Sequence, residues 1–213
     1  MIVALLAPAL AKPLPFDVLK PDTAVPDKGF VDATSSLEIA APPEVVRAFV
    51  VDLPKWDQWT SWNSRKYPDM KNTYTGNPGE VGHAMAWTGE SSGNGKLALT
   101  TVAADGLAFD LWFEKEKDPS KGRITITPTA TGSKVEWEMV VAWGFPASLF
   151  FPAKKMEAAL VKDFDEGLAA LKPLAEAEAA RIAEEARKAE EAAKKAAEEA
   201  AAAEAAKKGK KKK

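Results

Sequence analysis

The chain has 213 residues, with seven Trp, nine Phe, no Cys and a formal net charge of −2. Without cysteine there is no disulfide, no thiolate nucleophile and no cysteine-ligated metal. A single histidine, His83, leaves a zinc site or a Ser–His pair almost nothing to draw on. No motif asks for a cofactor, and the near-neutral charge gives no sign of specific nucleic-acid binding.

The apolar run from Ile2 to Ala11 is about half the length that a spanning helix needs, so no transmembrane span is expected. Its Ala9-Leu10-Ala11 end has the small-x-small shape of a leader cleavage site, but no basic residue precedes it. It is read as a frayed or surface-docked segment, and a cytoplasmic location is expected over an exported one. Pro13, Pro15, Pro21 and Pro26, with Pro8 close before them, make the following stretch an extended linker. Residues 1–28 thus stand apart from a folded domain expected over 29–172.

The first strand is expected over 30–39, bounded by Pro42-Pro43. Pro43 suits the first turn of a helix that carries Val45, Val46, Phe49 and Val50 on one face. After Pro54 comes a second short helix or turn with Trp56, Trp59 and Trp62. If helical, these indoles share a face, either rimming a pocket or anchoring the short helices on the sheet.

From residue 70 to 143 the hydrophobic period becomes two. Strands are expected over 70–75, 83–88, 96–102, 107–114, 123–127 and 133–143. They are separated by Gly76-Asn77-Pro78-Gly79, Gly93-Asn94-Gly95, Asp105-Gly106, Asp118-Pro119-Ser120 and Thr131-Gly132. Such short turns make successive strands antiparallel neighbours. Leu107, Phe109, Leu111 and Phe113 face one way, as do Val135, Trp137, Met139, Val141 and Trp143. Polar residues dominate the other face, which predicts a sheet covered on one side only.

The cover is a helix of about 25 residues, some 37 Å long at 1.5 Å per residue. It begins after Gly144-Phe145-Pro146 and carries Leu149, Met156, Leu160, Phe164, Leu168 and Leu171. Beyond Pro173 the composition collapses to Ala, Glu, Lys and Arg. Glu184/Lys188, Glu190/Lys194, Glu191/Lys195 and Glu204/Lys208 are i,i+4 pairs of the favourable orientation. Only Leu174 and Ile182 are large and apolar, so residues 173–213 are expected to form a solvated single helix without a coiled-coil seam. The lysine-rich end, from Lys207 to Lys213, would touch anionic surfaces weakly and in a salt-dependent way.

Together these elements give an α+β domain, a curved antiparallel sheet closed by a long C-terminal helix. Its ordered series of local residues runs Ile39-x-x-Pro42-Pro43-Glu44-x-Val46, Val51-Asp52-Leu53, Trp56-x-x-Trp59-x-x-Trp62, Met70-Lys71 and Tyr74-x-Gly76. It continues through Gly82-x-x-x-x-Trp87-x-Gly89, Gly93-x-Gly95, Glu114-Lys115 and Gly132-x-x-Val135-x-Trp137 to Asp163-Phe164-x-x-Gly167-Leu168-x-x-Leu171-Lys172. This series resembles the START-like (SRPBCC, Bet v 1-like) superfamily, in its polyketide cyclase/dehydrase-type branch, over about residues 30 to 172.

The resemblance implies a helix-grip fold with a cavity for lipids, sterols, polyketides or other hydrophobic molecules. The inward stripes, Trp87, Leu97, Leu99, Phe109, Leu111, Phe113, Trp137, Met139, Met156, Leu160 and Phe164, would line that cavity, with Trp62 at its mouth. The same residues would otherwise fill a solid core. Binding or transport of a hydrophobic small molecule is therefore the expected function. The alternatives are a polyketide cyclase/dehydratase-type enzyme and a protein that contacts partners through its tail. For an enzyme the candidate groups are His83, as a general base sharing a face with Met85 and Trp87, and Asp52 as its orienting partner.

Overall fold

The computed structural model of the chain describes residues 30–114, 119–143 and 147–210. The apolar N-terminal run, the proline-rich stretch, Gly144-Phe145-Pro146 and the final three lysines lie outside the described residues. The chain divides into two units between Ala175 and Glu176.

In the first unit, strand β1 (Phe30–Ile39) is followed by helix α1 (Pro43–Val50), a 3-10 turn (Leu53–Lys55) and helix α2 (Trp56–Trp59). The meander then runs through β2 (Lys71–Thr75), β3 (Ala84–Thr88), β4 (Gly95–Ala103), β5 (Gly106–Phe113), β6 (Ser120–Thr129) and β7 (Gly132–Ala142). A short helix α3 (Ala147–Phe150) precedes α4 (Ala153–Lys210). The seven strands are antiparallel in the order β1-β7-β6-β5-β4-β3-β2. Each strand from β3 to β7 lies beside its predecessor, and β1 pairs with β7 along its whole length, leaving β1 and β2 as the two edges.

Alternation sets the faces as the sequence predicts. Along β1, Val31, Ala33, Ser35 and Ile39 are buried, whereas Asp32, Thr34, Ser36 and Glu38 are exposed. The outer face is held by cross-strand pairs of opposite charge: Lys121 with Asp110 at 3.2 Å, and Arg123, whose Nε donates to Glu138 at 2.6 Å. On the inner face two aromatic rings lie over cross-strand glycines. Phe109 faces Gly122 and Trp87 faces Gly95, and a Cβ at either glycine would overlap the ring. Gly122 sits within β6 and Gly95 at the start of β4 for this reason, despite their poor strand propensity.

The grip of α4 on the sheet is uneven along its length. Phe164, Leu168, Leu171 and Ala175 are fully buried, while Met156 and Leu160 are only half-buried. Polar ties pin the tightly packed stretch. Ser35 donates to Asp165, Lys172 Nζ donates to the Glu38 carbonyl at 2.9 Å, and Ser61 donates to the Asp163 carbonyl at 3.2 Å. Gly167 lets the helix come close, with its Cβ position 3.3 Å from the Trp137 ring and 3.5 Å from the Trp59 carbonyl. Sheet and helix therefore close on each other toward Ala175 and part toward Ala153.

Two expectations about this helix are corrected. Leu149 does not join the inward stripe: it belongs to α3 and is exposed, because Pro152 interrupts the helical run before α4 begins. The cover expected at about 25 residues and the tail helix expected over 173–213 are not separate elements: α4 runs from Ala153 to Lys210 with Pro173 inside it. The ring costs one backbone bond there, and the Ala-rich sequence on its C-terminal side has the highest helix propensity available.

In the second unit α4 is solvated. Arg181 bridges Glu178 and Glu185 at 2.6 Å each, Arg187 bridges Glu184 at 2.8 Å and Glu191 at 2.5 Å, and Lys188 meets Glu184 at 3.3 Å. Only the last of these was among the pairs expected from spacing. Each is an exposed pair, screened by solvent and salt, and adds little to stability.

Candidate functional site

Where sheet and helix part, they enclose a cavity of about 290 Å³. Its sheet wall is built from alternate residues: Met85 and Trp87 of β3, Leu97 of β4, Phe109, Leu111 and Phe113 of β5, and Trp137, Met139 and Val141 of β7. Met156, Ala159, Leu160, Asp163 and Phe164 form the helix wall. Trp56, Thr60, Ser61 and Trp62 close one side, with Ser120 and Trp143 completing the lining. Exposed Ala159, between half-buried Met156 and Leu160, marks the open end.

Every pocket residue expected from the sequence lines this cavity except Leu99. That side chain is one alternation beyond Leu97, opposite Phe109, and its amide donates to the His83 carbonyl at 2.9 Å. It is 1% exposed, part of the closed floor rather than the wall. The lining also takes in residues not singled out as pocket-forming. The period-2 alternation had already put Met85, Val141 and Trp143 on the inner face, so their signal was present. Asp163 carried none, because it falls just off the helical stripe.

The three tryptophans after Pro54 do not share one helix. Trp56 and Trp59 belong to α2, whereas Trp62 lies in the bend that follows. Trp56 donates to the Val50 carbonyl at 2.7 Å and meets Phe109 and Trp137 edge-on at 5.6 and 5.8 Å. Trp59 is buried against Trp56 and Trp137, at 5.3 and 5.4 Å. Trp62 faces Trp87 and Phe113 at 6.5 and 6.0 Å. Trp59 is thus an anchor, Trp62 a wall, and Trp56 both.

Polar groups in the wall are few and mostly engaged. The single Thr60 hydroxyl proton is shared between the Trp56 and Trp62 carbonyls, 2.9 and 3.0 Å away, fixing the bend. Asp163 holds Lys66 at 3.2 Å. Burial disfavours the Lys66 ammonium, but the hydrogen bond and charge of Asp163 outweigh it, with smaller help from Tyr67 and Glu166, and its pKa is raised. In contrast, the indole N–H groups of Trp62, Trp87 and Trp137 are buried and meet no acceptor among the described residues.

Neither candidate catalytic group reaches the cavity. His83 is 2% exposed and sits just before β3, where the chain closes against the 3-10 turn. Its Nε2 accepts from the Leu53 amide at 3.3 Å, and its Nδ1 stands 3.0 Å from the Thr75 carbonyl, so the Nδ1–H tautomer satisfies both. Both ring nitrogens serve the backbone. Asp52, next to that turn, pairs with Lys55 at 3.5 Å rather than with His83. His83→Ala is expected to cost about 1–3 kcal/mol, chiefly by stranding the buried Leu53 amide. The folded variant should take up an apolar probe within about twofold of the wild type, since the cavity wall is intact. Denaturant unfolding and a fluorescence titration check the two halves of this prediction.

A curved seven-stranded sheet gripping a helix, with an apolar space between them, defines a helix-grip protein. The profile of the family described as polyketide cyclase/dehydrase and lipid transport matches residues 31–176, and the chain belongs to that family. Among solved structures, the di-domain ARO/CYC StfQ from the steffimycin biosynthetic pathway is similar at a TM-score of 0.52 and 14% identity, covering 72% of this chain and 52% of StfQ. The KanY protein solved by NMR gives 0.51 at 20% identity, covering 70% and 99%. CV1439 from Chromobacterium violaceum gives 0.50 at 15%, covering 68% and 98%. These likenesses are of fold. No curated protein matches the chain.

Proposed function

We propose that the chain binds a hydrophobic small molecule in the sheet–helix cavity and acts as its carrier. The observation that carries this reading is the 290 Å³ space walled almost wholly by aliphatic and aromatic side chains. Its volume is near the small end of the usual range for ligand pockets, which favours a slim molecule over a bulky polycyclic one. Contact over a few hundred Å² at roughly 25 cal/mol per Å² is enough for micromolar affinity. Among the described lining residues Asp163 is the sole ionisable group, and Lys66 engages it, which favours holding a ligand over acid–base chemistry on it.

The unpaired indole donors refine the ligand class. Indole offers a donor and no acceptor, and three such groups border the cavity while its hydroxyls are largely engaged. A small ring adjustment on binding would let them meet carbonyl or carboxylate oxygens. An acceptor-bearing chain, such as a fatty acid or a keto-acyl compound, is therefore favoured over a plain hydrocarbon.

The test is gentle mass spectrometry of the purified protein, followed by titration with fluorescent fatty-acid, keto-acyl and sterol probes. A copurifying apolar species, or micromolar uptake of an acceptor-bearing probe, is the expected result. No bound species and no uptake across the panel would overturn the reading.

A further inference from the structure

Beside the open end of the cavity, three consecutive large apolar residues face solvent: Leu149 is 68% exposed, Phe150 86% and Phe151 38%. Single exposed apolar residues are ordinary, but a contiguous run marks an interaction site. This run is fastened to the cavity wall. Trp143, a lining residue, donates its indole N–H to the Phe151 carbonyl at 2.7 Å and meets the Phe151 ring edge-on at 6.2 Å. Directly after Pro152, α4 opens with exposed Lys154 and Lys155, then the lining residue Met156, with Glu157 as the one acidic neighbour. Apolar tip, basic collar and cavity wall thus follow one another within eight residues of sequence.

We propose that residues 149–155 dock on an anionic lipid bilayer. Leu149 and Phe150 enter the boundary between headgroups and acyl chains, and Lys154 and Lys155 lie against lipid phosphates, their stems along the apolar surface. The cavity mouth then meets the membrane, and an apolar ligand passes between bilayer and protein without crossing water. The transfer step rests on the carrier reading above; the docking step does not. A second copy of the chain fits this patch less well. Three side chains fall far short of the roughly 800 Å² per partner of a stable interface, and a two-fold contact would bring the lysine pairs of both copies together.

Flotation of the full chain with vesicles of phosphatidylcholine alone, or mixed with phosphatidylglycerol, tests the proposal. The chain should float with the mixed vesicles, and Phe150→Glu and Leu149→Glu should each lower that partition about tenfold or more. Lys154→Glu with Lys155→Glu should remove the preference for phosphatidylglycerol. None of these variants should alter uptake of a soluble fluorescent fatty acid, since none of the four residues lines the cavity. Absence of vesicle binding overturns the proposal, as does binding that Phe150→Glu leaves unchanged, which would assign it to the lysine-rich end. A wild-type dimer that Phe150→Glu splits, seen by light scattering, also overturns it in favour of self-association. If vesicles bind as expected but no soluble probe is taken up, docking stands and the carrier reading falls.

Discussion

Trp137→Ala is expected to cost about 3–5 kcal/mol of folding stability, the usual loss for a buried aromatic. The indole stacks on Phe164 of α4 with centroids 4.5 Å apart and planes 15° from parallel. Its edges meet Trp56 and Trp59 of the short helix. It lies on β7, whose neighbours are β1 and β6. One side chain thus joins the sheet, α2 and the grip helix, and Gly167 leaves the helix close against it. Truncation opens a void that the surrounding rings fill poorly, because Trp56 and Trp59 are packed on each other and Phe164 sits on a helix tied in place through Ser35 and Ser61. Urea unfolding should show a lower midpoint with little change in slope. A loss under about 1 kcal/mol would mean that Phe164 and the α2 indoles collapse into the space, and that the grip does not depend on this contact.

The fold was legible because its signals are local. Alternation along β5 and β7 assigns faces residue by residue, and turn-forming residues separate the strands. The helix stripe is also local, yet it reads identically at Met156, Leu160, Phe164 and Leu168. Nothing in that periodicity separates the three residues beside a cavity from Leu168 in the closed core. The difference comes from distant partners: Gly167 against Trp137, and Ser35 and Ser61 tied to Asp165 and Asp163. His83 misled for the same reason. It shares the alternation of Met85 and Trp87, but the chain there meets Leu53, thirty residues earlier, and the ring is spent on backbone groups. The glycines under Phe109 and Trp87 are not legible as strand residues: Gly95 falls in a turn signal and Gly122 just outside the strand expected over 123–127, whereas the structure has β4 start at Gly95 and β6 run through Gly122. Their meaning needed the register, since only cross-strand pairing shows which ring each one admits.

Filling the cavity is expected to abolish ligand uptake without unfolding the protein. Leu111 on the sheet wall and Leu160 on the helix wall are both half-buried and face the space from opposite sides. Changing both to Trp adds two indole rings to a void of 290 Å³. A ligand displaced from about 120 Å² of apolar contact loses about 3 kcal/mol at roughly 25 cal/mol per Å², more than a hundredfold in affinity. The added rings have empty space to occupy, so overpacking is avoided and the melting temperature should hold or rise. A thermal melt and a probe titration read the two effects separately, and the combination discriminates between explanations. Loss of uptake with loss of fold would indicate a core packed more tightly than the cavity implies. Unchanged uptake in a well-folded double variant would show that the probe binds elsewhere, and with that the carrier reading would fail even though the helix-grip fold remained intact.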